Sequence, residues 1–180
     1  MARLKPFPAF WPAIWLVSDA RNDAALAAAV VKLPRGSGFI YRHHHLPPAQ
    51  RRLRFDALAR LARARGHLVV LAGNAKQARA WGADGAYGSP QMLARGPDIL
   101  RLTSVHSLRE LAAAQRADLV LLSPVFTTRS HPGAKPLGPL RFRLLAARSA
   151  VPVIALGGMS AQTARRLDWP LWAGIDAFLR

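Results

Sequence analysis

Eight short apolar runs, separated by stretches with helix signals, constrain what this chain can fold into more than any other feature. They fall at 13–18 (AIWLVS), 39–42 (FIYR), 67–72 (HLVVLA), 85–87, 99–104, 118–123 (DLVLLS), 151–156 (VPVIAL) and 171–175. The runs at 118–123 and 151–156 are apolar almost throughout, the look of strands buried on both faces. Between the runs, an Ala-rich helix is predicted over 22–31 and a long one over 49–65, opened by Pro47–Pro48. In the long helix Leu53, Ala57, Leu58 and Leu61 form a predicted apolar stripe. Arg51, Arg52, Arg54, Arg60 and Arg63 are assigned to its solvated remainder. Asn74 caps a short helix to Trp81, and 90–94 is at most a helical turn. Ser107–Leu108–Arg109–Glu110 has the capping-box pattern, 140–147 reads as helical, and Ser160 caps a helix over 160–167.

Strands alternating with helices predict α/β architecture, a compact (β/α)8 TIM barrel forming a single domain over 1–180, with 1–12 as an N-terminal extension. The repeat is about 22 residues (180/8), small for such a barrel. An open doubly wound sheet is the competing architecture if 85–87 is not a strand.

Function is sought at the C-terminal ends of the strands, where parallel α/β proteins bind ligands. The run at 118–123 continues into Thr127–Thr128–Arg129–Ser130–His131, a cluster of hydroxyls and donor or cationic groups. The run at 151–156 ends in Gly157–Gly158, which permit close approach of the backbone to an anion. Arg42 ends the second run and leads into His43–His44–His45. Consecutive histidines do not converge naturally on one ion, so loop or phosphate contact is preferred to a metal reading. Asp19 closes the first run, either as a loop cap or as part of the site.

Composition sets limits on the chemistry. Hydrophobic residues make up 51% of the chain, which excludes a disordered protein. With no cysteine there is no disulfide or thiolate chemistry, and a cytoplasmic location is expected. No apolar run reaches the roughly 18 residues needed to span a bilayer, and the N-terminus lacks a signal-peptide core. Glu110 is the only glutamate, so a catalytic pair of glutamates is excluded. There is no P-loop, no G-x-G-x-x-G pattern and no Cys/His metal spacing. The net charge is +17, from 26 Lys and Arg against 9 Asp and Glu. Nucleic acid, an anionic membrane or phosphorylated substrates would all suit it. The arginines are scattered rather than gathered, which suits solvated helix faces better than a nucleic-acid surface.

Four motifs in order carry a resemblance: GADG at 82–85, SVHS at 104–107, SPVFTTRS at 123–130 and PVIALGGMS at 152–160. With WLVSD at 15–19 they resemble the thiamine phosphate synthase and thiazole tautomerase (TenI) superfamily of barrels, and the chain is identified as a divergent member. The resemblance implies a transferase of thiamine biosynthesis that couples hydroxymethylpyrimidine diphosphate with thiazole phosphate and releases pyrophosphate. A TenI-like barrel, regulatory or binding a phosphorylated thiazole or pyrimidine without catalysis, is the alternative. By the same resemblance Arg42, Thr128, Ser130 and His106 are the candidate catalytic residues. Ser104, His131, Lys135, Gly157 and Gly158 are the candidate substrate- and phosphate-binding residues.

The resemblance also locates departures. The family's Asn-Asp pair after the third strand falls on Ala72–Gly73, and its aspartate after the fourth on Met92. These would hold Mg²⁺, which demands oxygen ligands. No protein metal site and no tightly bound cofactor is therefore expected, and any Mg²⁺ would arrive with the diphosphate substrate. Pro124 stands where the tautomerase has a histidine. Asp176 falls loosely on a phosphate-loop serine, where a carboxylate would repel phosphate. The expected partner is a phosphorylated small molecule, with nucleic acid and membrane unlikely and the oligomeric state unknown.

Overall fold

A computed structural model describes residues 11–114, 116–129, 133 and 135–178. Eight strands are present: β1 (Ile14–Val17), β2 (Gly38–Tyr41), β3 (Leu68–Ala72), β4 (Gly85–Tyr87), β5 (Leu100–Val105), β6 (Leu119–Leu122), β7 (Val153–Ala155) and β8 (Trp172–Gly174). They close in sequence order into a parallel barrel, with Ile14 of β1 opposite Trp172 of β8. The short run at 85–87 is a true strand, pairing Gly85 with Val70 on one side and Leu100 on the other. That pairing excludes the open sheet. Of the N-terminal extension expected over 1–12, residues 1–10 lie outside the described residues.

The barrel lumen is packed with Trp15, Val17, Ile40, Val70, Leu102, Leu121 and Ile154. Trp15 is the largest of these, and room for it comes from Gly38, where a Cβ would lie 2.0 Å from an indole carbon. The indole N–H donates to the Pro12 carbonyl at 2.7 Å. Outside the barrel the apolar faces form two clusters, one under β1–β4 and one under β5–β8.

The helices are unequal. α1 (Asp23–Lys32) and α2 (Pro48–Ala64) are long, whereas α3 (Ala75–Ala80), α4 (Pro90–Leu93) and α5 (Leu108–Ala113) are little more than turns. α6 (Gly138–Ala146) and α7 (Ala161–Leu167) follow β6 and β7. Among the described residues no helix is long and apolar enough to cross a membrane. Local signals behave as expected at most helix starts. Asn74, Ser89, Ser107 and Ser160 each accept a main-chain N–H from three residues on. At α5, however, Glu110 reaches back to the amide of His106, not to that of Ser107, so the box closes one residue early.

The face of α2 corrects the sequence reading. Its buried residues are Arg51, Phe55, Leu58, Ala59 and Ala62, whereas Leu53 is 71% and Leu61 37% exposed. Leu58 alone of the predicted stripe faces the core. The reason is Arg51, which takes a core position at the mouth end of the helix. Its guanidinium carbon lies 5.8 Å from the Tyr41 ring and 5.2 Å from that of Trp81. Nothing in the structure accounts for Leu53.

The excess of arginine has a structural use beyond solvation. Arg65 donates to the Leu33 carbonyl after α1, Arg52 to Ala80 at the end of α3, and Arg101 to Leu93 at the end of α4. Arg116 donates to Ala94 and Arg143 to Leu167, again at helix ends. Short helices leave as many orphan carbonyls as long ones, and a cationic fork suits the negative end of the helix dipole.

Candidate active site in the barrel mouth

The C-terminal strand ends open into a cavity of about 770 Å³. Arg42, Ser104, His106, Thr128, Gly157 and Gly158 all line it, so six of the residues singled out in the sequence share one concave surface. Lys135 is exposed on the β6–α6 connection and is not among the lining residues. Ser130 and His131 lie outside the described residues.

The β6–β7 rim is built from backbone. Val125 N–H donates to Leu156 O at 2.9 Å, and Phe126 N–H to Gly157 O at 3.0 Å. Gly157 and Gly158 have φ of +92° and +64°. A Cβ on Gly157 would meet Pro124 Cα at 2.6 Å, and one on Gly158 would meet Thr127 O at 2.6 Å. Both positions therefore require glycine for conformation and for close packing of the two loops. Among the described residues no acceptor takes the amide of Gly157 or Gly158.

Three further arrangements stand along the wall. Ser104 shares a short hydrogen bond with the Tyr87 hydroxyl. His106 Nδ1 and its main-chain N–H both meet Glu110 Oε2, at 2.9 and 3.0 Å. Burial pushes the Glu110 carboxyl up, but the hydrogen bonds from His106 and Ser107 outweigh it and leave it below the usual range. Asp176 is not bare: Arg129 Nη2 lies 2.9 Å from its Oδ2 and Arg21 Nη1 3.8 Å. The repulsion expected at this position is thus offset by two guanidinium groups.

The β1–β2 rim is built from side chains. The main-chain N–H of Arg42 donates to Ser18 Oγ at 2.7 Å, and Ser18 Oγ lies 2.8 Å from His43 Nδ1. His43 Nε2 lies 2.8 Å from Asp23 Oδ1, which also accepts from Arg54 Nε at 2.8 Å. Burial pushes the Asp23 carboxyl up, but His43 and Arg54 hold it below the ordinary range, so it is an acceptor only. Burial lowers His43 despite Asp23, leaving a neutral ring with its proton on Nε2. On the other side of Arg42, Arg51 Nε donates to its carbonyl at 2.8 Å, and Arg51 Nη2 to Ala72 O at 2.6 Å. Asp19 is occupied as the cap of the 3-10 turn Ala20–Asn22 and pairs with Arg21.

The thiamine monophosphate synthase family model matches residues 14–174. The chain belongs to the thiamine monophosphate synthase family. It is 33% identical to a thiamine-phosphate synthase of Laribacter hongkongensis over 67% of this chain, and 35% identical to one of Chlorobium luteolum over 67%. The matches span 60% and 61% of those relatives, so the chain spans about three-fifths of their length. The fold is that of a thiamine phosphate pyrophosphorylase from Pyrococcus furiosus, with TM-score 0.76 and 22% identity over 91% of this chain and 85% of that one.

The three positions where the resemblance places oxygen ligands for Mg²⁺ do not supply them. Ala72, Gly73 and Met92 offer no side-chain oxygen, and the Arg51 guanidinium already holds the Ala72 carbonyl. Among the described residues no group of three His, Cys, Asp or Glu could hold a metal. His43 is committed at both ring nitrogens, which removes it from the histidine run as a ligand.

Sequence reasoning missed Arg165 and Gln162, which line the mouth from α7. The signal was available. Ala161, Gln162 and Arg165 fall in the first turns of the helix that follows the Gly157–Gly158 strand end, which is the end of α7 nearest the mouth.

Proposed function

We propose that this chain is a thiamine phosphate synthase-like transferase that joins hydroxymethylpyrimidine diphosphate to thiazole phosphate and releases pyrophosphate. The single observation that carries the reading is the composition of one mouth: Arg42, Arg129 and Arg165 line it together with Thr127, Thr128, Ser160 and the Gly157–Gly158 turn. Guanidinium forks, hydroxyls and unengaged amides are what two phosphorylated substrates require. Arg42, Thr128 and His106 are the residues proposed to contact the reacting substrates, and Ser104, Gly157 and Gly158 to seat them. In this reaction the methylene–oxygen bond breaks with its electron pair leaving on pyrophosphate, and the thiazole nitrogen captures the pyrimidine cation. The protein's part is to neutralise the departing charge and hold the two partners in line. No residue of this chain is assigned to Mg²⁺; metal, where needed, enters with the diphosphate.

The substitution of Ala72, Gly73 and Met92 for oxygen ligands favours one other reading, a barrel that binds a phosphorylated thiazole or pyrimidine without catalysis. A coupled assay for thiamine phosphate, run with and without Mg²⁺, separates the two. The transferase forms product, and Arg42→Ala lowers it about 100-fold or more, as loss of one transition-state charge clamp does. Ligand binding with no product at any Mg²⁺ concentration would establish the binding barrel.

A further inference from the structure

Ser18, His43 and Asp23 are the residue types of a hydrolytic triad, joined at 2.8 Å and 2.8 Å. They are not one. Ser18 is 0% exposed, and its oxygen already accepts the Arg42 amide, so no substrate carbonyl can reach it. The polarity of the chain is fixed from its far end. Asp23 only accepts, so His43 Nε2 carries the proton, Nδ1 accepts the Ser18 hydroxyl, and the Ser18 oxygen is left to accept Arg42 N–H. His43 holds this geometry at φ +40°, a left-handed backbone that histidine seldom adopts, and its ring stacks on Tyr41 at 4.8 Å. The relay ends at the main chain of Arg42, and so does Arg51, through the Arg42 carbonyl.

We propose that Ser18, His43 and Asp23 on one side and Arg51 on the other form a clamp on the main chain of Arg42, a set of positioning residues that fixes where its guanidinium enters the mouth. The proposal rests on the reading of Arg42 as an anion ligand. A flexible arginine on a strand end samples many rotamers; holding both its peptide groups removes the backbone share of that freedom. Arg51 joins the clamp to β3 through the Ala72 carbonyl, so the position of Arg42 is set from two neighbouring strands.

The test is a binding cycle with inorganic pyrophosphate, measured by isothermal titration calorimetry on the full chain. Arg42→Ala should weaken binding tenfold or more. Ser18→Ala removes one buried oxygen and preserves shape; it should weaken binding by about five- to tenfold, near the worth of a displaced charge-assisted hydrogen bond. Arg51→Lys cannot span both carbonyls and should do the same. In an Arg42→Ala background, Ser18→Ala should have no further effect, since the clamp then has nothing to position. An equal loss in both backgrounds would mean general damage and overturn the clamp. Wild-type binding by Ser18→Ala and Arg51→Lys, with Arg42→Ala impaired, would also overturn the clamp and leave the anion-ligand reading standing. Wild-type binding by Arg42→Ala, or no binding by the native protein, would end both.

Discussion

The two sides of the barrel mouth are made differently. On the β6–β7 side, the shape comes from peptide groups: loop amides pair with loop carbonyls, and Gly157 and Gly158 occupy left-handed conformations. On the β1–β2 side it comes from side chains, through the Asp23–His43–Ser18 relay and Arg51. A backbone-built rim has few ways to relax, because its atoms cannot rotate away. A side-chain-built rim depends on protonation states, so it responds to solvent conditions as well as to mutation.

The largest contrast should come from Gly157→Val. A Cβ there meets Pro124 Cα at 2.6 Å, and φ is +92°. Backbone strain of about 1–3 kcal/mol adds to overpacking of about 1–3 kcal/mol. Urea unfolding should therefore show a loss of about 3 kcal/mol or more. Ser18→Ala on the other rim leaves the Arg42 N–H and His43 Nδ1 without their partner and should cost less, about 2 kcal/mol. Equal losses would show that the two rims do not differ in kind.

Acid should separate the rims next. His43 on the β1–β2 rim and His67 beneath it are both buried, and burial pushes both below the ordinary imidazole value. His67 accepts Ser37 N–H on Nδ1 and meets Val30 O with Nε2, so it too is held neutral. A histidine lowered in the native state binds fewer protons there than when unfolded. Its contribution is thus complete above about pH 6.5 and drains away as pH falls below that value. Asp19 and Asp23 are also lowered, so their stabilisation is present above about pH 4 and lost beneath it. Stability should fall in two steps, the first beginning near pH 6.5. Hydrogen exchange at pH 5.5, corrected for intrinsic rates, should show the amides of β1–β2 losing protection before those of β7. Simultaneous loss would break the comparison.

The same difference explains what the sequence disclosed. The glycine pair, the threonine cluster and the strand-end Arg42 are contiguous motifs, and contiguity is what a single sequence displays. Seven strands are legible as local apolar runs between local breakers; the remaining one, Gly85–Ala86–Tyr87, is too short to stand out and is fixed by pairing with β3 and β5. Arg51 is not legible: the sequence places it on the solvated face of α2, and only the carbonyls of Arg42 and Ala72, 9 and 21 residues away, make its burial favourable. The role of His43 was hidden in the same way, because its partners Ser18 and Asp23 lie 25 and 20 residues distant. The predicted stripe of α2 failed for this reason too, since hydrophobicity alone cannot rank a leucine below an arginine that has its hydrogen bonds supplied.

The smallest expected effect sharpens the comparison most. Arg165 is exposed on α7, lines the mouth, and has no part in either rim's construction. Ala164 and Leu167, the buried residues of the helix, hold α7 in place without it. Arg165→Ala should therefore leave the urea midpoint unchanged within about 0.5 kcal/mol, as surface substitutions usually do. Its guanidinium remains solvated, so its attraction for phosphate is screened, and pyrophosphate affinity should fall only about three- to fivefold. The loss should shrink as salt rises, whereas loss of the clamped, partly buried Arg42 should persist, because buried charges are screened far less. Titrations at low and high salt on Arg165→Ala and Arg42→Ala check this directly. A salt-insensitive loss in Arg165→Ala would mean that α7 contributes a positioned ligand of the same standing as Arg42, and that the mouth has a third built side.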